Sequence, residues 1–480
     1  MTPDQSALIA AVAERFGTAA AVTDQERIAP WTIDWRGRYH GTTAAILSPA
    51  STQQTAAMVA MAAAHRVPLV PQGGNSSMVG GATPPGDGSA LILSLRRLDR
   101  IRHVSAGDRT AIAEAGVVLQ TLQEAVAGEA LRFPLTLAAR GSATIGGLVS
   151  TNAGGTQVLR HGTMRALVLG VEAVLPDGSI HDGLAALRKD NRGYDLDQLL
   201  IGAEGTLGIV TAARLRLLPA ITARAVAWAG VDTPAAALAL LRAIDGEAIE
   251  SFEIIPGGSV GRVVRHLPGA RAPLGGTHRW HVLIEAVAER PDDREPRASL
   301  TDMLALGVER GWVEDATISA SEAQAEAFWA LRDGLSAAER AAGPAVQHDI
   351  AVAVDAMPRF LVETADAAER RFPGTTASGF GHLGDGNVHF HVRAPTGADP
   401  ERWYRDAAPG ITRFVHDAVV AAGGTISAEH GIGQMKLAEL ERVGPASRLM
   451  ALRAIKRALD PAGILNPGKL VALAKPPTDQ

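Results

Sequence analysis

Three histidines and an adjacent Glu-His pair carry most of the chemistry legible in this chain. His382, His389 and His391 fall in Phe380-Gly381-His382-Leu383-Gly384-Asp385-Gly386-Asn387-Val388-His389-Phe390-His391, where alternating residues flank an Asp-Gly pair. Asp-Gly in that setting is a signal for a two-residue hairpin turn. A turn at Asp385-Gly386 sets Gly384 against Asn387, Leu383 against Val388 and His382 against His389. The side-chain period of two then puts His391 on the face of His389. Further along, Ser427-Ala428-Glu429-His430-Gly431-Ile432-Gly433 joins a carboxylate to a fourth histidine ahead of a glycine turn. Two histidines and one carboxylate form a ligand set for a divalent cation that keeps open positions. The same row of imidazoles also suits a solvated or hydrogen-bonded sheet surface; the Glu-His pair adds the carboxylate and spare base that the hairpin lacks.

Such a row needs a large scaffold. At 480 residues the chain exceeds one hydrophobic core, so two or three domains are expected. Hydrophobic content of 46%, charged content of 20% and a net charge of −5 describe a globular enzyme and exclude a nucleic-acid binder or a solvated tail. The absence of cysteine excludes disulfides, thiolate zinc sites and iron–sulfur clusters held by this chain. Met1-Thr2-Pro3-Asp4-Gln5 is acidic and leads into no long apolar core, and no stretch reads as a membrane span. A cytoplasmic protein is expected.

Between about 40 and 217, short apolar runs at 44–47, 67–70 and 91–95 alternate with glycine-rich turns, and a helix over 52–65 joins the first two runs in a βαβ-like way. From about 220 the pattern becomes α+β: strands at 223–231, 280–287 and in the 380–392 hairpin, with helices at 234–244, 294–310, 321–342 and 357–371. A helix over 445–458 leads to Ile464-Leu465-Asn466-Pro467-Gly468-Lys469.

Glycine placement adds a cofactor. Val67-Pro68-Leu69-Val70-Pro71 runs into Gln72-Gly73-Gly74-Asn75-Ser76-Ser77-Met78-Val79-Gly80-Gly81, where paired glycines let successive N–H groups face an anion such as a diphosphate. No Gly-Lys-Ser/Thr follows, and Gly202-Ala203-Glu204-Gly205-Thr206-Leu207-Gly208 has the wrong spacing for the dinucleotide fingerprint. Arg140 through Gly155 and Ile201 through Val210 make two further loops, each with Ser, Thr or Asn. Several such loops in one domain suit a long, extended cofactor.

These loops closely resemble the FAD-binding domain of the vanillyl-alcohol oxidase and p-cresol methylhydroxylase (PCMH) superfamily. Gly381 through Asn387, Glu429-His430-Gly431-Ile432-Gly433 and Asn466-Pro467-Gly468-Lys469 resemble its FAD-linked oxidase C-terminal branch, which holds D-lactate dehydrogenases, the glycolate oxidase D subunit and D-2-hydroxyglutarate dehydrogenases. The likeness spans roughly residues 30 to 472. Arg36-Gly37-Arg38-Tyr39, His161 through Arg165, Leu187-Arg188-Lys189-Asp190-Asn191, Gly193 through Leu196 and Trp329-Ala330-Leu331-Arg332 look most like the bacterial D-2-hydroxyglutarate dehydrogenases.

The resemblance implies an α+β fold: a PCMH-type FAD domain of two subdomains over 1–219, a ferredoxin-like α+β substrate or cap domain over 220–425, and a C-terminal helical segment, 426–480, packing back on the FAD domain. It places non-covalent FAD against Pro71, Gly73, Gly74, Asn75, Ser76, Gly80, Gly81, Gly141, Ser142, Gly146, Gly147, Thr151, Asn152, Gly154, Gly155, Glu204, Gly208, Ile209 and Asn466. It assigns Zn²⁺ to His382, His389 and Glu429, the catalytic base to His430, and the substrate's distal carboxylate to Arg332 and Ser336, four residues apart on one expected helix face. Two positions depart from the family. Gln347 stands where a lysine is usual and His391 where an asparagine is usual; both are expected at the substrate, and both leave room for lactate, malate or a bulkier acid beside 2-hydroxyglutarate. An electron-transfer flavoprotein or a quinone is the expected acceptor, and a homodimer is an assembly the sequence permits. Two rival readings share these residues: a flavin-free metal hydrolase, against which the glycine loops argue, and a catalytically inactive binder, against which the Glu429-His430 pair argues.

Overall fold

A computed structural model describes residues 1–185, 187, 189–243 and 248–473; Arg188 of the Leu187–Asn191 motif lies outside them. The chain forms two compact units. One comprises Met1–Gly154, Gly162–Leu218 and the chain from His430 onward; the other comprises Gly155–His161 and Pro219–Glu429.

The first unit holds a small, largely parallel sheet and a larger antiparallel one. In the former the order is Ala21–Val22, Ile46–Leu47, Leu91–Ser94, Leu69–Gln72, the last three parallel. The 91–94 strand therefore lies between the two strands that the helix connects. That helix, Thr52–Ala64, starts where Ser51 Oγ accepts the Gln54 N–H, and it buries Thr55, Met58, Val59 and Ala62 on one face, as a 3.6-residue period requires. Five antiparallel strands follow in the order Ile101–Ser105, Thr110–Glu114, Ile209–Arg216, Val168–Val174, Ile180–Asp182. The late segment returns to this unit: Leu69 N–H donates to Ile464 O (2.7 Å), Asn466 N–H to Leu69 O (2.8 Å), and Ile464 and Leu465 are buried with the small sheet.

The second unit is one seven-stranded antiparallel sheet in the order Asp315–Ile318, Ala223–Val231, Trp280–Ala288, Ile249–Pro256, Thr376–His382, Asn387–Arg393, Ala345–Ala351. Helices Pro234–Arg242, Pro296–Glu309, Met357–Arg371 and Ala408–Ala421 cover one face. On the other, Val226, Trp228, Leu283 and Phe380 pack under helices Gly257–His266, Glu322–Asp333 and Leu335–Ala341. The single helix expected over 321–342 is two helices parted at Gly334, where the Val263 side chain comes so close that a Cβ would lie 2.8 Å from it. An antiparallel sheet with helices packed on it fits the expected α+β class. Among the described residues no helix is long and apolar enough to cross a membrane.

Candidate functional site

The histidine hairpin forms with a different turn from the one the sequence suggests. Strands Thr376–His382 and Asn387–Arg393 pair so that His382 faces Asn387, Gly381 faces Val388 and Phe380 faces His389, leaving Leu383, Gly384, Asp385 and Gly386 as the loop. Fully buried Leu383 is drawn out of the expected ladder because its N–H donates to Phe252 O (3.0 Å) in the neighbouring strand. Asp385 accepts the Asn387 N–H (2.9 Å), and Gly386 takes φ +81° against the Val352 carbonyl. The register is displaced by two residues, so side-chain parity is kept. His382, His389 and His391 still share one face, with His382 and His389 ring centroids 5.6 Å apart and Phe380 5.1 Å from His391. Gly386→Ala forces a Cβ to within 2.0 Å of Val352 O at positive φ, so it is expected to destabilise this unit by about 2–3 kcal/mol, read by denaturant unfolding.

His382, His389 and Glu429 converge: one ligand atom from each lies within 4.8 Å of the others. His391, which could have become an extra ligand, is outside this group and pairs across the sheet with Ser378 and Gln347. His382 is buried, whereas His389 and Glu429 are partly open. Glu429 is oriented through its N–H, which donates to Asp349 Oδ2 (3.1 Å), and Asp349 Oδ1 accepts from Asn387 Nδ2 (3.0 Å). His430 is the next residue along the chain, its Cα ~3.8 Å from that of Glu429.

Two buried acids that sequence reading missed complete the centre. Glu253 pairs across the sheet with His382, accepts from its Nδ1 and accepts from Arg332 Nε at 3.0 Å. Asp349 pairs with His389. Each is an acid beside bulky apolar residues in a short strand, Glu253 between Phe252 and Ile254 and Asp349 before Ile350, which is the signal that could have found them. Burial opposes the charge on Glu253, yet Arg332 and then His382 hold its pKa down to about 2. Burial likewise opposes charge on His382, but Glu253 raises it to about 9. Burial and the facing Asp349 push Glu429 up to about 7, against the pull of His382 and Arg332. Opposed buried carboxylates beside imidazoles are a donor set that a divalent cation satisfies.

The sign of the pH dependence follows. A cation must displace the protons of His382 and Glu429, so affinity falls as pH falls. Through these two groups, zinc uptake is expected to release about one proton per ion between the pKa values of about 7 and about 9 and about two below the lower one, countable by calorimetry in buffers of different ionisation enthalpy. A pH-independent affinity contradicts this.

Arg332 reaches the centre and Ser336 does not. The Arg332 guanidinium lies against Glu253 and 3.3 Å from His382 Nε2, while Ser336, beyond Gly334, is exposed.

The glycine loops meet within the first unit. A Cβ on Gly73 would sit 2.1 Å from Thr144 Oγ1, and one on Gly74 would sit 1.7 Å from Ser142 O, so the 73–81 and 141–147 loops touch backbone to backbone. Thr144 Oγ1 is buried with no hydrogen-bond partner among the described residues, an acceptor and donor left for a ligand. These features fit a cofactor held by backbone groups. Gly74→Ala is expected to yield protein without flavin, read as loss of visible absorbance.

Around this contact, Pro71 lies within the Leu69–Gln72 strand, Asn75 takes φ +53° with its Nδ2 donating to Ile33 O (2.8 Å), Ser76 follows it, and Gly80 takes φ +66°. Gly141 and Ser142 precede the Ile145–Thr151 helix, which contains Gly146, Gly147 and Thr151. Asn152 caps it at φ +50° and accepts the Arg165 N–H at 2.9 Å. Asn466 Nδ2 donates to Gly81 O (3.0 Å) and Glu204 O (2.7 Å). The Glu204 carboxylate accepts the N–H groups of Ile432 and Gly433, both at 2.7 Å, and so pins the glycine turn after His430. Gly208 packs on Leu200, and Ile209 is buried in the core, where only its backbone can meet a cofactor. Gly154 closes a segment of the first unit, but Gly155 belongs to the second.

Comparison with known proteins finds two matching family domains. Residues 221–470 match the C-terminal domain of FAD linked oxidases, and residues 43–183 match an FAD binding domain. A D-2-hydroxyglutarate dehydrogenase of Xanthomonas citri pv. viticola is 36% identical over 449 residues, covering 93% of each chain. A mitochondrial D-2-hydroxyglutarate dehydrogenase of Arabidopsis thaliana is 34% identical over 462 residues, 95% of this chain and 80% of that one. Among solved structures, p-cresol methylhydroxylase with substrate bound aligns with a TM-score of 0.76 at 14% identity over 98% of this chain and 97% of the other, a likeness of fold.

Proposed function

We propose a function on one premise: this chain belongs to the FAD-linked oxidase family and is an FAD-dependent oxidoreductase. It oxidises a D-2-hydroxy acid to the 2-oxo acid, with D-2-hydroxyglutarate the first substrate, as the names of its relatives suggest. Gln347 and His391, neutral donors paired on the sheet face, favour D-lactate, D-malate or glycolate as the second reading. The observation that carries the proposal is the convergence of His382, His389 and Glu429 on one face of the second unit.

When bound, FAD supplies a hydride acceptor and a divalent cation, zinc for this nitrogen and oxygen set, supplies a Lewis acid. His382, His389 and Glu429 would hold the cation. His430 takes the hydroxyl proton on a ring nitrogen, since an imidazole works near neutral pH. Arg332 draws in the anionic substrate and fixes its orientation, with Gln347 and His391 contacting the part beyond the reacting carbon. The loss of one proton and one hydride leaves the 2-oxo acid. FAD is held without a covalent bond by the 73–81, 141–155 and 204–209 loops and Asn466. An electron-transfer flavoprotein or a quinone would serve as the electron acceptor, and a cytoplasmic homodimer completes the proposal.

Anaerobic mixing with D-lactate, D-malate, D-2-hydroxyglutarate and aromatic D-2-hydroxy acids tests it. Bleaching of the flavin by at least one of them is expected; a flavin that no 2-hydroxy acid reduces refutes the assignment.

A further inference from the structure

We propose that Glu253 is a positioning residue which fixes His382 and Arg332 as one unit, so that the cation ligand and the substrate-binding guanidinium keep a set geometry. The inference rests on the cation site proposed above and concerns a residue outside its ligand set.

The argument starts from what each group can do. Glu253 is 1% exposed, and its carboxylate is divided between two partners: Oε1 meets His382 Nδ1, and Oε2 accepts from Arg332 Nε at 3.0 Å. An ionised carboxylate only accepts and a guanidinium only donates. The proton on His382 must therefore sit on Nδ1, which leaves Nε2 as the atom that can face a cation. Arg332 Nη2 donates to that same Nε2 at 3.3 Å, which marks it as the unprotonated nitrogen whose lone pair a cation takes over from Arg332. Sheet pairing supplies rigidity: Glu253 stands directly across from His382, while Arg332 descends from the Glu322–Asp333 helix over the same face. Glutamine keeps the shape and fails the chemistry, because its amide NH₂ must meet either the Nδ1–H or the Nε–H, donor against donor. Aspartate keeps charge and both acceptors but is shorter by one methylene.

The test uses full-length, FAD-loaded protein stripped of metal. Glu253→Gln is expected to weaken Zn²⁺ binding ~10–100-fold in a chelator competition and to raise KM for the reducing 2-hydroxy acid, with flavin content unchanged. Glu253→Asp is expected to recover part of the zinc affinity. Zinc affinity in Glu253→Gln within ~2-fold of the parent overturns the proposal. Should that variant not fold, ¹⁵N NMR of the zinc-loaded parent decides: a protonated Nδ1 and a metal-bound Nε2 on His382 support it, and a metal-bound Nδ1 overturns it. Neither readout needs turnover. A chain that binds zinc as described but reduces no flavin refutes the proposed reaction and leaves this inference standing; a parent that takes up no Zn²⁺ overturns both.

Discussion

His382→Ala lowers turnover ~10³-fold or more while the protein stays yellow, and Glu429→Gln does the same. Both residues belong to the second unit, whereas the glycine loops proposed to hold flavin belong almost entirely to the first, so loss of a proposed cation ligand is expected to leave those loops intact. His382 is the more damaging of the two to remove, because its loss also strands the buried Glu253 carboxylate with Arg332 alone. Flavin absorbance, zinc content and steady-state rate on the same preparations check the expectation. Loss of flavin in both variants would mean that the cluster is a structural element and not the seat of chemistry.

His430→Ala gives the second large effect. Flavin reduction in a single anaerobic turnover slows by ~10²–10⁴, while zinc remains bound at the level of the parent protein. The separation follows from chain position: His430 adjoins Glu429 but lies outside the three-residue ligand group, so removing its imidazole takes away a proton acceptor and no ligand of that group. An unchanged reduction rate excludes it as the base. A loss of zinc equal to that in His382→Ala would instead make it a ligand.

Much of this centre was legible because strand parity is robust. The expected two-residue turn at Asp385-Gly386 does not form, yet His382, His389 and His391 share a face, since displacing a register by two residues moves no side chain to the other side. What the sequence could not show was the hydrogen bond from Leu383 to Phe252, which belongs to a strand some 130 residues earlier and sets the register. Glu253 and Asp349 were missed for the same reason: each lies in a short strand, and its partner is supplied by a neighbouring strand. The break at Gly334 falls on a residue of low helix propensity, with the Val263 side chain packed against it, and it accompanies the parting of exposed Ser336 from partly buried Arg332. The glycine loops fared better. A glycine that must admit a close neighbour shows itself by residue type, and Gly73 meets the Thr144 side chain while Gly74 meets the Ser142 carbonyl.

The cation's part in the reaction is tested most directly by flavin bleaching with D-2-hydroxyglutarate under anaerobic conditions, before and after metal removal by a chelator. Rapid bleaching of zinc-loaded protein, its loss on chelation and its return on adding zinc are the predicted results. Bleaching at the same rate in fully stripped protein would contradict a metal-assisted oxidation at His382, His389 and Glu429.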